Sequence, residues 1–328
     1  MLKYFIKRVL VAIPVMFAVA TATFLMVQAL PGGPFDSVGE RPMPERTRLL
    51  LENRYGLNEP LHIQFFSYMG NLVRGDLGLM MRNPSQTVND IVAQTFPVSI
   101  QLGVLSMILG FMIGIPTGII AALRHNSLYD HSATFIAVLG VSIPNLVLGP
   151  LLMLVFGVYL DWFPIAFWGA DPPDFLWGYI PPLIGEGSGK FWIHAVLPVV
   201  TLGTGISAGI SRLTRAGLLE VLNEDYIRTA RAKGLKESTV VAVHALKNSM
   251  IPVATVLGPL FAGVLTGSLI VEQIFAINGM GRRFIQSIGQ REYFLITSLT
   301  LIYSVLLIFG NIMVDVMYAW LDPRIRYD

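Results

Sequence analysis

Three groups of residues in this 328-residue chain are of types that do chemistry. The first is the histidines, at positions 62, 125, 131, 194 and 244. No two stand at the helical spacing of metal ligands, and His125 and His131 are separated by a turn. The second is GEGSGK, from Gly185 to Lys190. A phosphate loop needs a glycine where Ile184 stands, and a Ser or Thr for magnesium where Phe191 stands. GTGISAG, from Gly203 to Gly209, lies inside an apolar run and follows no strand, so small-residue helix packing explains it better than dinucleotide binding. There is no Gly-x-Ser-x-Gly elbow, no plausible buried acid pair and no cysteine. An enzyme reading therefore has no positive support, and no metal or cofactor is expected on the chain itself.

The third group is the run EDYIRTARAKG: Glu224, Asp225, Tyr226, Ile227, Arg228, Thr229, Ala230, Arg231, Ala232, Lys233 and Gly234. Asn223 suits an N-cap, and acids at 224 and 225 complement the positive helix N-terminus. Arg231 and Lys233 fall late, where cations are favoured, and Gly234 suits the C-terminal turn. Tyr226, Ile227, Ala230 and Gly234 share one side, small and partly apolar, suited to a groove on another protein. A solvated turn, or one that binds lipid headgroups, accounts for the same composition. A second helix is expected from about Lys236 to Asn248.

These charges interrupt a chain that is 54% hydrophobic and only 13% charged, half the charge of an ordinary soluble domain. The balance predicts an all-α polytopic membrane protein. Its net charge of +2 gives no support to a nucleic-acid partner. Six apolar stretches have spanning length, at about 9–30, 98–123, 133–160, 194–211, 252–275 and 294–321. The first is too long for a signal-peptide core and reads as a retained helix. Gly110, Gly114 and Gly118 recur every four residues, predicting a face for close helix approach. With a cytoplasmic N-terminus, inside segments carry 13 Lys and Arg against 4 in the short outside loops. Both termini are therefore expected inside.

The organisation expected is a first span over 1–30, an external helical region over 31–97, a five-helix core over 98–321 with a cytoplasmic loop at 212–251, and a tail at 322–328. In the external region, Pro44 to Asn53 and Pro60 to Arg74 read as helices stopped by Gly56 and Gly75. Thr87 with Asp90 reads as a capping box opening a helix that Pro97 ends. The region serves as a cover over the bundle or as a docking surface. The Pro- and Trp-rich 161–193 loop reads as interfacial. Asp315, inside the last span, is expected to pair with Arg212 or Arg215.

EDYIRTARAKGL, followed by HALKNSMIPV, resembles the cytoplasmic loop of permease subunits of binding-protein-dependent ABC importers, in its peptide/nickel branch. MLKYFIKRVLVAIPVMF, PGGPF, RYGLNEPLHIQFFSY, GDLG, TFPVSIQLG, VEQIFAINGMGRRF and DVMYAWLDPRIRY extend the likeness over the whole chain, toward B-type permeases of that branch. From the general loop pattern only Ala230, Gly234 and Leu246 are kept; the departures match the branch. The resemblance implies a type I ABC importer permease fold with six transmembrane helices in a bacterial inner membrane. It implies a homologous second permease, two ATPase subunits that hold ATP and magnesium, an extracytoplasmic solute-binding protein and a peptide substrate. Glu224 to Gly234 would be the coupling helix, seated in an ATPase cleft. Pro144, Asn145, Gly258 and Gly267 would line the pathway, and Asn278, Gly279 and Gly281 would form the outer gate loop. Nickel or glutathione as the solute stays open. A secondary transporter or channel is the rival class; it needs ion-coupling acids inside spans, for which Asp315 is the candidate.

Overall fold

A backbone in hydrocarbon must satisfy its own polar groups, which leaves helix as the open-chain solution. The computed structural model describes residues 2–30, 32–35, 44–168 and 188–321. Apart from one isolated β-bridge between Leu79 and Thr87, the regular structure of the described residues is helical. In chain order the helices are α1 (Leu2–Gln28), α2 (Glu45–Arg54), α3 (Leu61–Val73), α4 (Val88–Leu123), α5 (Leu128–Ser142), α6 (Asn145–Leu152), α7 (Ser188–Val221) and α8 (Asp225–Ala232). There follow α9 (Glu237–Thr239), α10 (Leu246–Ser249), α11 (Ile251–Leu265), α12 (Leu269–Ile274), α13 (Met280–Gln290) and α14 (Tyr293–Leu321). Wide π-helical turns continue α6 over Met153–Tyr159 and join α9 to α10 over Val240–Ala245.

Five helical segments are long and apolar enough to cross a membrane, and a sixth crossing is the bent pair Leu128–Ser142 and Asn145–Tyr159. Taken with the bent pair as one crossing, these match the six expected spans, the third of them bent by 99°. Pro144 causes the break. Its ring pushes Ile143 out of the α region (φ −84°, ψ 113°), and Pro144 itself is extended (φ −61°, ψ 142°). The fifth span is interrupted where Gly267 takes φ +101° between α11 and α12.

Pro97 does not end a helix. The Thr87–Asp90 capping box forms as expected, and α4 then runs 36 residues through Pro97 and Pro116. Its length is held by packing on α7, the most extensive helix pair in the molecule. The glycine face does this work. A Cβ on Gly114 would sit 2.6 Å from Ser207 O, and one on Gly118 2.6 Å from Ser211 O. The two backbones approach as only small residues permit.

Between α1 and α4, helices α2 and α3 form where expected, with Pro44 and Pro60 at their N-caps and Gly56 and Gly75 at positive φ beyond their ends. They cover α1 and α14. The Tyr68 ring stacks on Phe294 at 5.9 Å, and Gln28 Nε2 donates to Gln64 Oε1 at 2.9 Å. Much of the 161–193 loop and the whole 322–328 tail lie outside the described residues. Asp315 pairs with Arg8 of α1, at 2.9 Å, and not with Arg212 or Arg215. Arg215 instead makes a bidentate pair with Asp130, at 2.6 and 2.8 Å, tying the start of α5 to α7.

Candidate functional site

The charged run forms α8, a two-turn helix after the long α7. Its N-cap is Glu224, not Asn223, whose amide turns back to donate to Leu219 O at 2.9 Å. Lys233 is the C-cap, and Gly234 takes φ +76°, a conformation costly to any residue with a Cβ. The chain thereby reverses into the helical stretch 237–249, close to the second helix expected from 236.

The face of α8 that meets the bundle is the small apolar one, contrary to expectation. Ile227 and Ala230 are buried in a cluster of the chain's own Ala122, Leu218, Val240 and Ala245. The reason is elementary: an exposed isoleucine beside an unfilled gap among four apolar side chains loses its burial free energy, about 2 kcal/mol. The face left bare carries Asp225, Arg228, Thr229, Arg231, Ala232 and Lys233. Tyr226, half-exposed at 41%, is pinned by Asn248, whose Nδ2 donates to its hydroxyl at 2.9 Å. Arg231 grips Glu237 across the turn with two bonds, Nη2 to Oε1 at 2.7 Å and Nε to Oε2 at 3.1 Å. That bond from Arg231 holds the Glu237 carboxyl below the usual carboxylate range. The hairpin from α8 to α9 is therefore clamped at its turn while its outer face stays charged and solvated.

At the other end of the molecule lies a cavity of about 500 Å³, bounded by α6, α11, α12, α13 and α14. Asn145, Thr266, Gly267, Gly281, Phe284 and Tyr303 are among the residues that line it. Two of the pathway candidates, Asn145 and Gly267, meet here, along with Gly281 of the gate loop. Pro144 stands at the bend beside Asn145. Gly258 does not join them. It faces α14, where a Cβ would sit 2.7 Å from Asn311 Oδ1, so it is a helix-packing glycine. In the stretch expected to form the gate loop, Asn278 Oδ1 accepts from Arg283 Nε at 3.1 Å, and Gly279 abuts the carboxylate of Glu272.

Glu272 was not singled out by sequence reasoning, nor was its partner Ser99. Both are fully buried. The available signal was an acid placed in an apolar run and followed by the glycines of INGMG. A second buried acid, Glu292, accepts from Met81 N at 2.7 Å and from Arg82 N at 2.9 Å, securing the loop before α4 to the start of α14. Burial pushes its carboxyl above the usual range, against the pull of those two amides and of the Arg82 charge.

Among the described residues no group of three His, Asp or Glu side chains could hold a metal ion. The model of the binding-protein-dependent transport system inner membrane component matches residues 114–327, and that of the family's N-terminal membrane component matches residues 1–103. The chain belongs to this permease family. The permease is 39% identical to the oligopeptide transport system permease protein OppB of Haemophilus influenzae, over all of both chains. It is 41% identical to the dipeptide transport system permease protein DppB of Bacillus subtilis, over 99% of this chain and 98% of the other. It is 40% identical to OppB of Salmonella typhimurium, again over all of both chains. Among solved structures, the inward-facing MetNI methionine ABC transporter aligns with a TM-score of 0.52 at 15% identity, covering 69% of this chain and 96% of that one. That likeness is one of fold, the type I ABC importer permease architecture. The permease is thus a multi-pass component of the kind that works with ATPase subunits.

Proposed function

We propose that this permease forms half of the path by which an ATP-driven importer moves peptides across the bacterial inner membrane. The other half is a homologous second permease, two ATP-binding subunits hold the ATP and magnesium, and a solute-binding protein delivers the peptide from outside. Both termini lie on the cytoplasmic side, as the distribution of Lys and Arg favours. The observation that carries this reading is the end-to-end match, near 40% identity, to permeases named for oligopeptide and dipeptide transport.

The geometry supplies a mechanism. α8 is the coupling helix. Its apolar side is anchored to α4, α7 and the 237–249 hairpin through Ile227 and Ala230, so a push on its charged outer side reaches those helices directly. Rocking between inward-open and outward-open states needs such a link, because ATP binding elsewhere shifts the bundle only through contacts that differ between the two states. The bidentate Asp130–Arg215 pair carries the same motion to α5, and thence to the bend at Pro144 and the cavity at Asn145. The cavity wall offers amide and hydroxyl groups of Asn145, Thr266, Ser268, Thr300 and Tyr303 without an ionised side chain, chemistry suited to peptide main chains of varied sequence.

Co-expression with the second permease and two ATPases, followed by uptake of labelled dialanine and tetra-alanine into vesicles supplied with the solute-binding protein, tests the proposal. ATP-dependent uptake of either peptide supports it. A complex that assembles and hydrolyses ATP but imports neither overturns the peptide assignment. Arg231→Glu is expected to abolish uptake while the protein stays inserted; uptake at the parent rate would remove α8 from the coupling role.

A further inference from the structure

Glu272 sits at a junction of three elements. Its Oε1 accepts from the Ser99 hydroxyl of α4 at 2.7 Å, and its Oε2 accepts from the Arg282 amide of α13 at 2.9 Å. The Gly281 amide donates to the same carboxylate. Ser99 Oγ in turn accepts from the Met280 amide at 2.8 Å. The first three amides of α13, which a helix leaves without internal partners, are all taken up this way. The negative charge also lies against the positive end of that helix. Glu272 is fully buried and, among the described residues, has no cationic partner. Backbone packs tightly around the carboxylate. A Cβ on Gly267 or Gly279 would collide with it, and one on Gly281 would come within 3.1 Å of Oε2. The Arg282 guanidinium closes the loop from outside, with Nη1 donating to Ala276 O at 2.8 Å.

Gly267 and Gly281 have the carboxylate on one side and line the cavity on the other. The junction is therefore built into the cavity wall. We infer that Glu272 is a positioning residue for the gate: it fastens α12 and the start of α13 to α4, so that this part of the wall opens and closes as one body with α4. An unpaired buried carboxylate is stable only while several donors stay aimed at it. Such a junction persists whole or fails whole, the behaviour a gate with two discrete positions requires. The inference rests on the proposed role of the cavity as part of the pathway.

The test uses the assembled importer in vesicles. The chain has no native cysteine, so Phe284→Cys, on the cavity wall of α13, provides a single thiol on this subunit as a reporter for a membrane-impermeant maleimide added from outside. In the parent carrying this reporter, labelling is expected to differ several-fold between nucleotide-free and nucleotide-trapped complexes. With Glu272→Gln, which turns an N–H donor toward the α13 amides, the difference is expected to vanish and uptake to fall at least about tenfold, with ATP hydrolysis retained. Glu272→Asp is expected to recover part of both. Should Glu272→Gln fail to assemble, Ser99→Ala carries the test: it removes the hydroxyl shared by Glu272 and Met280 and is expected to flatten the labelling difference. Preserved state dependence in an assembled variant, or none in the parent, overturns the inference. A parent that labels in a state-dependent way but imports no peptide leaves the gate assignment standing and sinks the peptide reading instead.

Discussion

The cavity end of the molecule and the α8 end are held by opposite kinds of force. At the end that carries the cavity, the outer one in the proposed orientation, Glu272 and Glu292 each gather hydrogen bonds from other elements, and both are buried. At the α8 end, the inner one in that orientation, α8 is seated by Ile227 and Ala230 in an apolar cluster, and its polar contacts, such as Arg231 with Glu237, lie in solvent. Hydrogen bonds to a buried carboxylate are directional and fail steeply when misaligned. Apolar contact is non-directional, so a small plug tolerates sliding and tilt. Under the proposed mechanism the outer end suits a few defined positions, and the inner end a push that leaves its grip intact. The charged face of α8 lies in solvent.

Substitutions sharpen this contrast, beginning with the largest effect. Glu292→Ala strands the Met81 and Arg82 amides and is expected to cost about 4 kcal/mol, at 1–3 kcal/mol for each donor left unsatisfied plus the lost packing. Faster proteolysis within 44–82, with the core resistant, would report it; unchanged cleavage would mean that the outer end does not depend on its carboxylates. Ile227→Ala is expected to cost about 3 kcal/mol by opening a cavity in the inner plug, read as lowered thermal stability of the purified subunit. Gly234→Val forces a β-branched residue to φ +76° and is expected to cost about 2 kcal/mol, read the same way and accompanied by loss of uptake. Glu292 adds a pH signature. Its carboxyl is raised in the folded state, so the folded chain holds the proton more tightly than the unfolded one does. Stability of the outer end should therefore fall as pH rises through the range just above the ordinary glutamate value, and Glu292→Gln should flatten that slope. The smallest effect is expected for Arg231→Ala. Its ion pair with Glu237 is largely exposed and should be worth well under about 1 kcal/mol of stability, although uptake falls. A large stability loss there would erase the distinction between the two ends.

Local signals were legible in the sequence and distant ones were not. The Thr87–Asp90 capping box, the proline starts of α2 and α3, the turn at Gly234 and the four-residue glycine face on α4 each act within a few residues, and each formed as read. Pro97 misled because the rule for proline weighs one lost hydrogen bond, whereas the packing of α4 along α7 acts over many turns. The partner of Asp315 was misassigned to α7 because α1 lies beside α14 in space while Arg8 is 307 residues away in sequence. The inward face of α8 was misjudged for a related reason. A stripe of Ile227 and Ala230 says that something apolar covers it, not whether that cover belongs to the same chain. Glu272 is a single acid in the 252–275 apolar stretch, and its partners become visible only when α4 and α13 are brought around it.

The seam between α11 and α14 shows what close approach implies over generations. Gly258 and Gly310 face each other; a Cβ on Gly310 would sit 2.7 Å from Gly258 O, and one on Gly258 would press on Asn311 and on the Gly310 carbonyl carbon. When two large residues touch, growth of one can be offset by shrinkage of the other. Here both are already the smallest residue there is. No second change at the opposite position can rescue a first, so lineages descending from this gene must keep the pair or move the two helices apart.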